Sequence, residues 1–340
     1  FGMFASFDAG KHWQPFQLNL PVTPVTDLLV YRKDLVVSTQ GRAFWILDDI
    51  GFLHQVEPAD KDKPMALYRP ENPYRTQVRG TLGRLAVYAS FKEKPKKFKL
   101  EILDAEDKVI RAYDKLKAEE GLNRFSWDLT HEPPEKIQGA IISLSNTRGP
   151  RAVPGKYAVR LTVGEESLTQ PFEVLKDPRW EHISVADLQE QFDLQVEAGK
   201  AFTQSHDLIK DVREIRTQVK DISSRADKAG YSEDVKKAAE ELSKNLTVLE
   251  EELIQTKNES GQDPINYQVK LDNQLAYVYS SASSQDSKPN RSIRERFEEL
   301  KAQLDKAAET FQALEAGDLK DFEKLLQEND IPRIIYKEKK

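Results

Sequence analysis

Ser6-Phe7-Asp8-Ala9-Gly10-Lys11-His12-Trp13 is the stretch that decides how the front of this chain is read. Its pattern is S-x-D-x-G-x-x-W, and apolar runs flank it on both sides, which predicts a hairpin turn. Short side chains at Ser6 and Asp8 accept hydrogen bonds from the turn's own backbone N–H groups. Gly10 supplies a positive φ. Trp13 is expected to fold back as an apolar plug. Nothing in this spacing performs chemistry; it builds a turn.

The motif resembles the Asp box of β-propeller proteins such as sialidases, sortilins and other BNR-repeat proteins. The run Asp34–Asp49, DLVVSTQGRAFWILDD, is similar to the last propeller blade of a bacterial BNR-repeat family labelled sortilin-like or glycosyl-hydrolase-like. Three further stretches resemble that family's immunoglobulin-like domain of the FlgD type: Gly121–Leu129, Gly149–Tyr157 and Thr169–Phe172. The resemblance runs along nearly the whole chain. It implies an α+β multidomain fold: a β-propeller blade remnant, an immunoglobulin-like β-sandwich and an antiparallel α-helical bundle. An Asp box normally lies deep inside a blade, yet here it opens the chain, and Phe1 is no natural initiator. The expectation is therefore the C-terminal part of a longer protein, with most of a propeller upstream.

Composition bounds the rest. The 340 residues suffice for two or three domains, and 32% of them are charged, which suggests exposed helices beside modest cores. Without cysteine the chain has neither disulfides nor thiolate metal sites. The net charge is −6; residues 1–180 carry a slight basic excess and residues 181–340 a marked acidic one. No basic stripe argues for nucleic acid, and no apolar run approaches the roughly 20 residues that span a bilayer. All four tryptophans fall before residue 181, which places a boundary near Asp177-Pro178-Arg179.

Five segments follow. Residues 1–50 read as short strands of terminal propeller blades. Residues 51–80, punctuated by Pro58, Pro64, Pro70 and Pro73, read as a linker. Residues 81–176 read as the sandwich, with Glu132–Ser145 a surface loop between strands. Residues 181–330 read as helices: one long helix opened by Ser184 with Asp187 and ending near Gly230, a second over the Val235–Leu253 stripe, a third over Pro264–Ser281, and a fourth broken at Gly317-Asp318. In the tail, 331–340, Ile331–Tyr336 is apolar and expected to dock, and Lys337–Lys340 to fray.

Candidate chemistry is sparse. No two of His12, His54, His131, His182 and His206 stand at metal-ligand spacing. Asp48 and Asp49 are paired carboxylates at a strand end, but adjacent strand residues point to opposite faces, so they cannot easily serve one sugar as acid and base. Asp104-Ala105-Glu106-Asp107 lacks calcium-loop spacing. Glu240-Glu241 and Glu250-Glu251-Glu252 read as solvated helix faces. No metal site, cofactor or catalytic residue is assigned.

Two functions are in view. The first is a non-catalytic C-terminal module of an exported bacterial β-propeller protein, serving structural or interaction roles. The second is a set of accessory domains of a glycoside hydrolase whose active site lies on the absent propeller. The implied partner is the remaining propeller portion, on the same or a separate chain, with a glycan or protein as the parent's ligand.

Overall fold

A computed structural model describes residues 2–77 and 83–334. The chain is a mixed α+β protein with several antiparallel sheets and, among the described residues, five α-helices. It divides into two units: Phe1–Leu129 with Pro154–Leu175, and Thr130–Val153 with Lys176–Lys340.

The first unit is β. A minimal hairpin pairs β1 (Phe4–Ala5) with β2 (Gln14–Pro15), and β3 (Val25–Tyr31), β4 (Asp34–Thr39) and β5 (Phe44–Leu47) form a three-stranded meander. The larger core lies between two further sheets. One takes the order β10-β9-β12-β13-β7, from Val109–Tyr113, Lys99–Leu103, Gly155–Val163, Glu166–Lys176 and Tyr74–Arg75. The other takes the order β11-β8-β6, from Gly121–Trp127, Leu85–Phe91 and Met65–Leu67. β12 alternates apolar and polar residues and turns one face inward, whereas β6 and β8 are buried on both faces, the second through Ala66 and Tyr88 with Phe52. Trp127 is fully buried between them, its ring centroid 6.0 Å from Phe172 and 5.9 Å from Tyr157.

Residues 51–80 are not a linker over their described part. β6 pairs with β8, and β7 lies beside β13. Met65, Ala66, Leu67 and Tyr68 are all buried. The prolines cap these strands rather than dissolve them: Pro64 precedes β6, and Pro70 and Pro73 separate it from β7. Proline cannot donate to a ladder, so it shortens strands without preventing them. Residues 78–80 lie outside the described residues.

The second unit is helical. α1 (Val185–Ala229) starts at a reciprocal cap: Asp187 N–H donates to Ser184 Oγ at 3.1 Å, and Ser184 N–H donates to Asp187 Oδ2 at 2.9 Å. Gly230, at φ 71, ends it in the left-handed conformation that terminates helices. α2 (Glu233–Leu253) and α4 (Arg291–Leu314) are capped by Ser232 and Asn290. α3 (Leu271–Ala282) begins later than the sequence pattern suggests. Asp263 accepts the N–H groups of Glu259 and Ser260 and holds only a short 3-10 turn over Asp263–Ile265. Gly317 does not break the fourth helix either. A π-helical turn, Glu315–Leu319, carries α4 into α5 (Lys320–Glu328). Stripes such as Val212, Val219, Leu242, Leu249, Leu300 and Phe322 form one continuous core, on which Ile331 and Ile334 are buried. Residues 335–340 of the tail lie outside the described residues.

Residues 130–153 belong to this helical unit although strands of the other unit precede and follow them. They form neither helix nor strand beyond one bridge, Thr130 with Arg151. They are nevertheless no free surface loop. His131 N–H donates to Pro150 O at 2.8 Å and closes the segment's neck. Ile137, Ala140 and Ile142 pack on the helical core, and Ser143 is buried. A Cβ on Gly149 would lie 1.8 Å from His131 O, so only glycine fits where the two limbs of the neck meet.

Trp127→Ala is expected to destabilise the β unit by roughly 3–5 kcal/mol, the usual range for emptying a fully buried aromatic site. Urea unfolding followed by near-UV circular dichroism would measure it. A loss under about 1 kcal/mol would mean that the two sheets do not pack through this ring.

Candidate functional site

The turn at Ser6–Trp13 is a closed polar network. Ser6 Oγ accepts from Gly10 N–H at 2.7 Å and donates to Asp8 Oδ1 at 2.8 Å. Asp8 Oδ1 accepts from His12 N–H at 2.9 Å, and Oδ2 meets His12 Nδ1 at 2.5 Å. The His12 N–H, with the His12 ring and Ser6, holds the Asp8 carboxyl below its ordinary range. Gly10 has φ 88. Every acceptor is spent on the turn itself, so the geometry is structural. Trp13 departs from expectation: it is 65% exposed and plugs nothing. The hairpin docks instead through Met3 and Phe16, which pack with Leu20, Leu35, Val37 and Trp45. Phe16 N–H donates to Met3 O at 2.7 Å, so the hydrophobic anchor lies at the strands and Trp13 falls beyond it.

Asp48 and Asp49 differ in their surroundings. Asp48 is exposed. Asp49 has φ 53, and its N–H donates to Asp34 Oδ1 at 2.9 Å. Its Oδ1 is buried with no hydrogen-bond partner. Burial, and then the nearby Glu71 carboxylate, push the Asp49 carboxyl above its ordinary value. Glu71 pairs with Lys33. A Cβ on Gly51 would lie 2.9 Å from Glu71 Oε1 and 3.4 Å from Asp49 Oδ1, so both carboxylates crowd the same glycine. Proline punctuation hid Glu71 in the sequence, since it sits in the stretch read as a linker. Lys33 and Glu71 tie the β3–β4 turn to the segment entering β7.

The meander β3-β4-β5 is unlike the other sheets. Its register places Leu29 opposite Val36 and Val36 opposite Ile46, so these three share a face, with Phe44 and Tyr31 at alternate positions. Leu29 is 58%, Ile46 63% and Phe44 77% exposed. The opposite face carries the buried Leu35 and Val37. β3 is an edge strand whose apolar Leu28, Leu29, Val30 and Tyr31 are all exposed. An uncovered apolar face beside an open edge is what an interaction surface provides.

The helical unit hides charges that the sequence pattern does not announce. Glu250, read as part of a solvated acidic face, is 1% exposed. It accepts from Arg213 Nε at 2.6 Å and pairs with Arg216. The available signal was its position four residues after Leu246, on the same stripe. Asp272 of α3 is equally buried; its Oδ1 accepts from the Asn273 N–H at 2.6 Å. Burial raises its carboxyl to about 7. His206 of α1 is buried against Phe202, and burial, followed by Lys136 and Arg213, lowers it to about 4. A groove of about 590 Å³ between α1 and α4 is floored by Leu208, Leu304 and Phe311 and rimmed by Asp207, Lys301 and Lys320. Among the described residues no group of three His, Asp or Glu side chains is arranged to hold a metal ion, and no helix is long and apolar enough to cross a membrane.

No protein-family model matches the chain, and no curated protein matches it. Among solved structures, CopC from Methylosinus trichosporium OB3b is 14% identical, with a TM-score of 0.20 over 33% of this chain and 94% of that one. A structure titled pT26-6p is 12% identical, with a TM-score of 0.17 over 78% of this chain and 49% of that one. At such scores neither likeness bears on fold or function.

The two buried titratable groups predict opposed pH dependences. Between about 4 and the ordinary 6.5, the unfolded chain holds a proton on His206 that the folded chain lacks, so this group makes stability rise with pH. Between 3.8 and about 7 the folded chain holds a proton on Asp272 that the unfolded chain lacks, so this group makes stability fall with pH. Each slope is roughly 1.4 kcal/mol per pH unit, and they cancel from about pH 4 to 6.5. His206→Gln should therefore leave a stability that falls across this window, and Asp272→Asn one that rises. Urea midpoints at three pH values would show it; identical profiles in both variants would contradict it.

Proposed function

We propose that this chain is a non-catalytic module of an exported β-propeller protein, serving structural and interaction roles. In this reading the β1–β2 hairpin with its Asp-box turn belongs to one blade. The meander β3-β4-β5 supplies three strands of the next. The two larger sheets are an immunoglobulin-like sandwich, and the helices are an antiparallel bundle. The observation that carries the proposal is the meander's uncovered face of Leu29, Val36, Phe44 and Ile46, beside the open edge of β3. Propeller blades are covered on both faces by neighbouring blades, so a blade-derived sheet standing at the end of a series has this two-sided apolar character. The partner is accordingly a further antiparallel sheet. The saturated turn at Ser6–Trp13 supports a scaffolding role, because its carboxylate is committed to its own backbone.

Size-exclusion chromatography with mass detection tests this on the full chain. Concentration-dependent association is expected, and Leu29→Lys with Ile46→Lys should abolish it without changing the far-UV spectrum. A monomer at all concentrations whose β3 amides are strongly protected from exchange would overturn the proposal.

A further inference from the structure

Residues 131–149 lie on the helices in a particular way: helix side chains bind main-chain groups at five points along them, Glu135, Ile137, Ser143, Asn146 and Arg148. Glu135 N–H donates to Thr203 Oγ1 at 3.0 Å and Ile137 N–H to His206 Nδ1 at 3.5 Å, both on α1. On α3, the Asn273 carboxamide accepts from Ser143 N–H at 2.7 Å and donates to Ser143 O at 3.0 Å. Further along, Asn146 N–H donates to Ser280 Oγ at 3.3 Å, and the Tyr279 hydroxyl donates to Arg148 O. At the neck, Arg151 Nη1 reaches both oxygens of Asp286 at 3.2 and 3.3 Å. This arm has no ladder of its own, so its order depends on these side chains.

One of them differs from the rest. Thr203, Asn273, Ser280 and Tyr279 keep their hydrogen-bonding roles at any ordinary pH, whereas His206 accepts only while neutral. With Nδ1 accepting, the neutral ring carries its proton on Nε2, which is buried with no hydrogen-bond partner, so a second proton must go to Nδ1, against the Ile137 N–H. The charged groups acting on the ring are cationic: Lys136 of the arm and Arg213 of α1. Arg213 is itself held by Glu250 of α2 and acts on Asp272 of α3. A protonated ring would lose the Ile137 bond and stand unpaired beside Lys136. The ring could regain solvation only if the arm lifted.

We propose that the arm over residues 131–149 is a clasp that neutral His206 holds shut and that acid opens through protonation of this ring. The element that moves is the limb around Lys136–Ile142, which His206 touches; the Asn273 and Tyr279 attachments remain as the tether. The consequence is a helical face, lined by Thr203 and His206, that is covered near neutrality and presented in acid.

Hydrogen exchange on the full chain, corrected for intrinsic rates, tests this. With the open-state ring titrating at its ordinary 6.5 and the closed one at about 4, amides of residues 136–142 should exchange roughly 20-fold faster at pH 5 than at pH 7. The amides of α1 and α3 should stay protected throughout. His206→Gln, a neutral acceptor at every pH, should remove the acid effect. Ile137→Pro, which deletes the donor, should leave the arm fast at both pH values. Flat exchange in the unaltered protein would overturn the clasp. So would a rise shared equally by the helices, which would be general unfolding, or a rise undiminished in His206→Gln.

Discussion

A main-chain polar group taken from water needs a partner, and this constraint organises the helical unit. The segment 130–153 lies on an apolar surface without forming helix or sheet, so its N–H and C=O groups have nothing regular to bind. The Asn273 carboxamide resolves this at the buried Ser143 by accepting and donating at once. Each such group left unmet would cost roughly 1–3 kcal/mol, comparable to the whole contribution of an apolar anchor such as Ile137 or Ile142. The anchors supply attraction, but the side chains of α1 and α3 decide whether the attraction can be used. The same logic explains Glu250, whose burial is tolerable because Arg213 and Arg216 both reach it.

Periodic features were legible in the sequence. The heptad-like stripes of α2 and α4 fall on the buried core because a 3.6-residue period leaves little choice of face. Ser184 and Asp187 cap α1 because their spacing permits little else. What escaped was whatever depended on a distant partner. Glu250 looks like its neighbours Glu251 and Glu252 until Arg213, 37 residues earlier, is brought beside it. Met65–Leu67 is too short to declare itself as a strand; only β8 makes it one. Trp13 departs from the motif's expectation for a related reason: the turn's polar pattern fixes the backbone, while the fate of a flanking aromatic depends on what lies under it, and Met3 and Phe16 already fill that place.

The candidate sites divide along the same line. The Ser6–Asp8–Gly10 network is local, and its geometry follows from spacing within eight residues. The surroundings of Asp49 are not local. Glu71 and Lys33 approach it through the packing of separate segments, and Gly51 is the small residue that lets them crowd together. Asp48 and Asp49 are neighbours in sequence but occupy different environments, one exposed and one half-buried. Their adjacency therefore says less about chemistry than the approach of Glu71 does.

The open face of the meander has an energetic scale that bears on its partner. Fully burying a large apolar side chain gains roughly 1.5–3 kcal/mol. Leu29, Phe44 and Ile46 start more than half exposed, so covering them is worth on the order of 5 kcal/mol. Association of separate molecules costs an estimated 4–15 kcal/mol in lost freedom of motion. That surface alone therefore holds a free partner weakly at best. Pairing along the β3 edge would add main-chain hydrogen bonds, each worth about 1 kcal/mol net. A tethered sheet in the same polypeptide escapes most of the association cost, because its effective concentration is set by the connection rather than by dilution. The size of this face thus favours a covalently linked neighbour over a freely diffusing one, and two separate copies of the chain would use it only at high concentration.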